Sequence, residues 1–226
     1  MLLAGTATGS TSTGDRAAAV KPTQNLTTVF RSQRAFSQPD SRSISRGLVR
    51  AWRPITEART VLPVLARRID GDGLQWVHLR LPGRPNGRTG WILRRATGAS
   101  ATPWHIVVST SERRVRVYRE GRVVRVFKAI VGKPSTPTPQ GEFFVEEAIE
   151  LPAGAVGAPF ALALSARSDV LQSFAGGPGQ IGLHGLKNVG GMLGTAVSHG
   201  CVRLDNDALR GLVARVGAGV PVRITR

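Results

Sequence analysis

The sequence predicts a mostly-β protein made of two β units, with a single helix near the C-terminus. Three observations predict it. Glycine (27) and proline (14) are abundant while the chain has one tyrosine and seven phenylalanines, a mix suited to short strands and tight turns rather than long helices. Apolar and polar residues alternate in several short runs, the period of a half-buried strand. Only Leu209, Leu212, Val213 and Val216 recur at helical spacing, so one helix is expected.

Residues 1–45 open on TATGSTSTG and continue polar with scattered arginines. Too few apolar residues recur to offset the entropy of ordering, which predicts a disordered or processed leader. MLLAG is too short for a complete signal peptide, so no signal is clearly visible. No run approaches the ~18 apolar residues of a membrane helix, and no transmembrane segment is expected.

Residues 48–97 change character and hold Trp52, Trp76 and Trp91, three of the four tryptophans. In QWVHLRL, Trp76, His78 and Arg80 alternate with Val77, Leu79 and Leu81. DGDG precedes this run and PGRPNGRTG follows it; Asn86-Gly87 is a hairpin signal because both residues tolerate positive φ. Short strands joined by tight turns predict a small barrel with most of its tryptophans in the core. Thr97 to Pro103 reads as a linker.

The second unit, residues 103–226, begins with RRVRVYREGRVVRVFKAIVG. Val115 and Val117 alternate with Arg116 and Tyr118, and Glu120-Gly121 turns the chain, so this is a hairpin. Pro134, Pro137 and Pro139 make Gly132 to Gly141 a loop, and EFFVEE is a strand. GGPGQIGLHGLKNVGG is glycine-rich but lacks the Gly-Lys-Ser/Thr ending of a phosphate-binding loop. Asp205 or Asn206 can cap the helix, Gly217 and Gly219 end it, and VPVRIT closes as a strand.

The formal net charge is +17, mostly arginine. Such a charge draws a protein towards anionic polymers through long-range attraction. The basic residues are spread along the chain, and none clusters beside a helix-turn-helix, zinc-finger or ribonucleoprotein signature. A nucleic-acid partner is therefore not expected, and charge alone leaves open an anionic cell-wall polymer or a merely solvated basic surface.

The chemistry converges on VSHGCVRLDNDAL. Cys201 is the only cysteine, so it has no internal disulfide partner. If His199 to Leu204 is extended, His199, Cys201 and Arg203 share one face and Ser198, Gly200, Val202 and Leu204 the other. Gly200 would leave room for a substrate, with its N–H free to meet a developing oxyanion. A thiol with an ordinary pKa of about 8.5 needs a base near neutral pH. His199 and His184 are candidates, and Arg203 would stabilise the thiolate. A zinc reading of His184, His199, Cys201 and Asp205 lacks a second cysteine and a standard spacing, so no metal or cofactor is expected.

IGLHGLKNVGGMLGTAVSHGCVRL resembles the catalytic signature of the YkuD-type L,D-transpeptidases: a His-Gly, a glycine-rich spacer, then Ser-His-Gly-Cys-hydrophobic-Arg. VGKPSTPTPQGEF is similar to that family's proline-containing segment, and the opening hairpin matches in order. GLQWVHLRLPGRPNGRTGWI resembles a bacterial Src-homology-3-like domain, which implies a wall-positioning module over 48–97. The larger resemblance implies a β-sandwich with its cysteine in a cleft and an exported enzyme of the cell envelope. Its substrates would be peptidoglycan stem peptides. Cys201 would be the nucleophile, forming a thioester with release of D-alanine before an amine resolves it into a 3→3 cross-link. His184 would carry the proton, oriented by the Gly185 carbonyl. His199 would support the site, and backbone N–H groups around Gly200 and Cys201 would hold the oxyanion. Arg203 and Ser198 would bind substrate.

Two alternatives remain open. Water could replace the acceptor amine, giving an L,D-carboxypeptidase, or both modules could form a non-catalytic wall-binding protein. NlpC-type peptidases place cysteine before histidine, the reverse of His184 and Cys201. Sortases share the order but need a Thr-Leu-x-Thr run that is absent here.

Overall fold

The computed structural model describes residues 19–174 and 176–226. The first unit is a seven-stranded antiparallel sheet. Its strands are β1 (Gln24–Val29), β2 (Gln33–Phe36), β3 (Ser45–Val49), β4 (Val61–Ile69), β5 (Gln75–Arg80), β6 (Thr89–Leu93) and β7 (Thr97–Thr102). Their order is β3-β2-β6-β5-β4-β1-β7. Val29, Leu62, Leu79 and Ile92 are fully buried in its core, each contributing roughly 1.5–3 kcal/mol of transfer free energy.

This sheet is wider at both ends than residues 48–97. The unpacked stretch expected over 1–45 is corrected for residues 24–45. Polar β1 pairs with β4 on one side and β7 on the other, and buries Leu26 and Val29. Two ladders satisfy its backbone, and two apolar anchors suffice where composition suggested none. The expectation for residues 1–18 lies outside the described residues. Thr97–Thr102, expected as a linker, is strand β7, paired over six consecutive residues with β1. Asn86-Gly87 does not make a two-residue hairpin: β5 and β6 are joined by residues 81–88, and the Asn86 side chain is bonded to the second unit instead. Trp76 and Trp91 are buried, whereas Trp52 is half-exposed beneath the Arg59 guanidinium, 3.6 Å from its ring centroid.

The second unit contains β8 (Trp104–Ser109), β9 (Arg114–Arg119), β10 (Arg122–Lys128), β11 (Val131–Gly132), β12 (Gly141–Glu150), β13 (Phe160–Arg167) and β14 (Gln180–His184). After these come β15 (Ala196–Ser198), β16 (Val202–Arg203), helix α1 (Asn206–Val213) and β17 (Pro221–Thr225). Eight strands form one sheet in the order β10-β9-β8-β17-β12-β13-β14-β16, and β11 pairs with β15. Glu120 and Gly121 turn the β9–β10 hairpin with φ of 53° and 77°, the conformation of a two-residue hairpin turn. The C-terminal β17 enters the sheet between β8 and β12, parallel to the first and antiparallel to the second.

Helix α1 begins where the sequence places it. Asp205 is the cap, accepting from the N–H groups of Asp207 and Ala208. Leu209 and Leu212 face the core with Leu164, Leu183 and Val202. No helix of the described residues is long and apolar enough to cross a membrane.

The two units share a buried seam. Phe144 of β12 is fully buried in the first unit's core. Glu146 accepts from Arg53 at 2.7 Å and pairs with Arg167 at 2.9 Å, all three side chains nearly inaccessible to solvent. Glu147 accepts from the Thr56 N–H and hydroxyl. Burial pushes the Glu146 carboxyl up, and the two guanidiniums pull it back.

Candidate active site

The site forms where β14 meets β16. Ile181 and Leu183 alternate with Gly182 and His184 along β14 and are buried. The 16 residues between His184 and Cys201 bring the chain back parallel to β14. Leu183 then lies opposite Val202, and His184 opposite Arg203. The Leu204 N–H donates to the His184 carbonyl at 2.9 Å, closing the register. The Gly182 backbone amide acts on the Cys201 thiol, lowering its pKa. The strand that carries this amide carries the imidazole two residues on.

His184 Nδ1 lies 2.9 Å from the Gly185 carbonyl oxygen. A carbonyl only accepts, so Nδ1 carries the proton and Nε2 presents a lone pair. Burial lowers the His184 pKa; the Gly185 bond opposes this, and the Arg203 charge adds to it. Burial raises the Cys201 pKa; the Gly182 amide and the Arg203 charge pull it back. Near pH 7 the resting pair is therefore a neutral thiol and a neutral imidazole, able to accept a proton when substrate arrives.

The cysteine segment is a turn, not an extended strand. Gly200 has a φ of +117°, which breaks the alternation that would set His199 beside Cys201. His199 instead points outward, its ring stacked on Phe174 with centroids 5.7 Å apart. The Gly200 N–H is not free: it donates to Ser198 Oγ at 3.1 Å, and that hydroxyl donates to the Cys201 carbonyl at 2.6 Å. Gly200 is thereby corrected as an oxyanion donor. Ser198 is fully buried, so it shapes the turn and does not touch substrate. Among the described residues no acceptor engages the Cys201 N–H.

The proline-containing loop holds this turn from below. Thr138 Oγ1 accepts from the Gly132 N–H and donates to the Gly200 carbonyl at 2.8 Å. Thr136 Oγ1 donates to the Ser198 carbonyl at 3.3 Å, and the Lys133 N–H to the same oxygen at 3.0 Å. Prolines remove amide donors, and the threonine hydroxyls replace them.

Arg203 is fixed by its backbone, which exchanges two hydrogen bonds with Ile130. Its Nη1 donates to the Gly190 carbonyl at 3.3 Å, while Nε is buried with no acceptor among the described residues. The half-exposed guanidinium keeps donors for an incoming anion. No group of three or more His, Cys, Asp or Glu able to hold a metal occurs among the described residues.

Sequence reasoning missed two residues that hold the imidazole. Asn206 Oδ1 accepts from the Leu186 N–H at 2.9 Å, tying helix α1 to the loop after His184. Gly157 lies against the imidazole: at its φ of +82°, a Cβ would fall 2.5 Å from His184 Nδ1. Its carbonyl also accepts from the Gly185 N–H at 2.8 Å. The only sequence signal is the run of small residues AGAVGA before Pro159. Gly157→Ala is expected to lower turnover about tenfold, because the ring must shift. It should cost about 1–2 kcal/mol of stability for the left-handed backbone. Steady-state kinetics and urea unfolding check the two effects separately.

Residues 103–224 match the family model of the YkuD L,D-transpeptidase catalytic domain. Over 123 residues the chain is 35% identical to YkuD of Bacillus licheniformis, covering 54% of this chain and 66% of that protein. Over 124 residues it is 33% identical to YkuD of Bacillus subtilis, covering 55% and 67%. The chain thus spans about two thirds of the length of these relatives. An L,D-transpeptidase from Mycobacterium tuberculosis superposes on 75% of this chain and 91% of its own, at 18% identity and a TM-score of 0.46, an overlap too loose to add to the assignment. The family match covers more than half of the chain and contains both His184 and Cys201: the protein belongs to the YkuD L,D-transpeptidase catalytic-domain family.

Proposed function

We propose that the protein is a peptidoglycan L,D-transpeptidase acting outside the cytoplasmic membrane, with Cys201 as nucleophile. The observation that carries this reading is the parallel register of β14 and β16. It sets a histidine with a free Nε2 lone pair on the strand that pairs with the residues directly following Cys201.

His184 Nε2 takes the Cys201 proton as sulfur attacks the carbonyl between the third residue of a stem peptide and its terminal D-alanine. The tetrahedral oxyanion is held by the Cys201 N–H, which has no acceptor among the described residues; one such donor is worth about 3 kcal/mol. The peptide C–N bond breaks, the imidazolium gives its proton to the departing D-alanine amine, and a thioester remains. An amine of a second stem peptide then attacks the thioester. His184 accepts the amine proton and returns it to the sulfur, leaving a 3→3 cross-link and a free thiol. Arg203 pairs with a substrate carboxylate.

The net charge of +17 supports retention near an anionic wall polymer. The first sheet is read as the Src-homology-3-like, wall-positioning unit that its sequence resembles.

Intact mass after incubation with a carbapenem is expected to show one adduct on the native chain and none on Cys201→Ala. An equal adduct on the variant, or none on either, refutes the cysteine enzyme. Mass spectrometry of products from a purified tetrapeptide then separates a cross-linked dimer from a trimmed tripeptide. The dimer is expected, and a tripeptide alone would replace transpeptidation with L,D-carboxypeptidase activity.

A further inference from the structure

The first unit grips the segment that leads to the active site through the loop between β5 and β6. Arg84, in the loop between β5 and β6, gathers three carbonyls of the segment that joins β13 to β14. Its Nη1 donates to Pro178 O at 2.8 Å, and its Nη2 to Ser168 O at 2.7 Å and Leu171 O at 2.9 Å. Asn86 extends the grip: its amide donates to Arg167 O and Asp169 Oδ1 and accepts from the Arg167 N–H. Ser168 N–H donates to Gly179 O, so the two ends of the segment are closed on each other where Arg84 holds them. Further out, Phe174 and Gly177 exchange two backbone hydrogen bonds, and the Phe174 ring stacks on His199, two residues before Cys201.

A guanidinium suits this task. Its planar fork serves several carbonyls at once, and charge-assisted bonds of this kind are about twice as strong as neutral ones. Among its described residues the segment between Ser168 and Gly179 has no regular strand pairing beyond the Phe174–Gly177 bridge, so its position depends on what grips its base. Phe174 is half-exposed, and its one ring contact is with the residue that leads into the cysteine turn.

We propose that Arg84 is a positioning residue for the Cys201 site: it holds the β13–β14 segment so that Phe174 walls the His199 side of the site, and donor-peptide binding depends on that wall. The proposal rests on the reading of Cys201 as the nucleophile that accepts a stem peptide. It makes the first unit part of the substrate site as well as a means of localising the enzyme.

The test compares Arg84→Ala, Arg84→Lys, Phe174→Ala and the Arg84→Ala/Phe174→Ala double variant in the full chain. Amide hydrogen exchange needs no turnover. Arg84→Ala should speed exchange about tenfold in peptides covering 168–174 and 196–201, with β8 and β9 unchanged as reporters of global opening. With tetrapeptide donor, KM should rise about tenfold while kcat changes less than about threefold. Arg84→Lys, which keeps a cation but loses the fork, should fall between. The double variant should match Phe174→Ala alone, because both changes remove one wall. Unchanged exchange at 196–201 in Arg84→Ala, or KM effects that multiply, overturns the proposal. If the native chain does not process the peptide, the transpeptidase reading fails, while the exchange data still decide the role of Arg84. If Arg84→Ala does not fold, Arg84→Lys carries the same comparison.

Discussion

Replacing His184 with alanine is expected to slow acylation of Cys201 about 10³-fold near pH 7 and to change the shape of its pH profile. Burial pushes the thiol up and the imidazole down. In the native chain the reactive form needs only a neutral His184. Because its pKa lies below the ordinary value of 6.5, the rate should be flat around pH 7. It should fall only in more acid solution, as the imidazole gains a proton. Without the imidazole, the thiol must ionise unaided. Its pKa lies above 9.0, so the rate should climb about tenfold per pH unit from 7 to 9. Iodoacetamide or carbapenem acylation followed across pH separates the two curves. A plateau retained in His184→Ala would remove this residue as the base.

Glu146→Ala is expected to cost about 3–5 kcal/mol, a large part of the ~5–15 kcal/mol that stabilises a domain. Arg53 and Arg167 both converge on this carboxylate from opposite sides of the seam, and Gln180 Nε2 donates to it at 3.3 Å. Removing it takes away the carboxylate that both guanidiniums contact and leaves Arg53 the charge of Glu147 alone to offset its burial. Burial already presses the Arg53 pKa down against the pull of Glu146, and among the described residues Arg53 Nε and Nη2 have no acceptor. Urea unfolding should show a lower midpoint with an unchanged slope. Glu146→Gln keeps one acceptor and should lose less. A loss below about 1 kcal/mol in Glu146→Ala would mean that water relieves the seam.

The sequence made some of this legible and left the rest dark for physical reasons. Cys201 and His184 stood out as candidates because a lone thiol and an imidazole in a glycine-rich run carry chemistry in their residue types. The Asp205 cap and the Glu120-Gly121 turn were readable because both are local. The shared face of His199 and Cys201 failed because that expectation assumed an extended chain, and Gly200 at +117° turns it. Ser198 looked available to substrate, but its hydroxyl is spent inside the same turn. Strands β1 and β7 escaped notice because their order comes from each other and from β4, not from their own hydrophobicity. Gly157, Asn206 and Arg84 act on residues 20 to 94 positions away, and no spacing rule connects them to the cysteine.

Phe144 carries a consequence for anyone shortening the chain. It lies within the span that matches the family, yet its side chain is packed in the hydrophobic interior of the other unit. A fragment beginning at Pro103 would present that ring to water beside Glu146, Glu147 and Arg167, stripped of Arg53 and Thr56. An exposed apolar patch next to unmatched charge favours aggregation over folding. Such a fragment is expected to be less soluble than the full chain, and beginning upstream of Gln24 or placing a polar residue at position 144 should restore solubility.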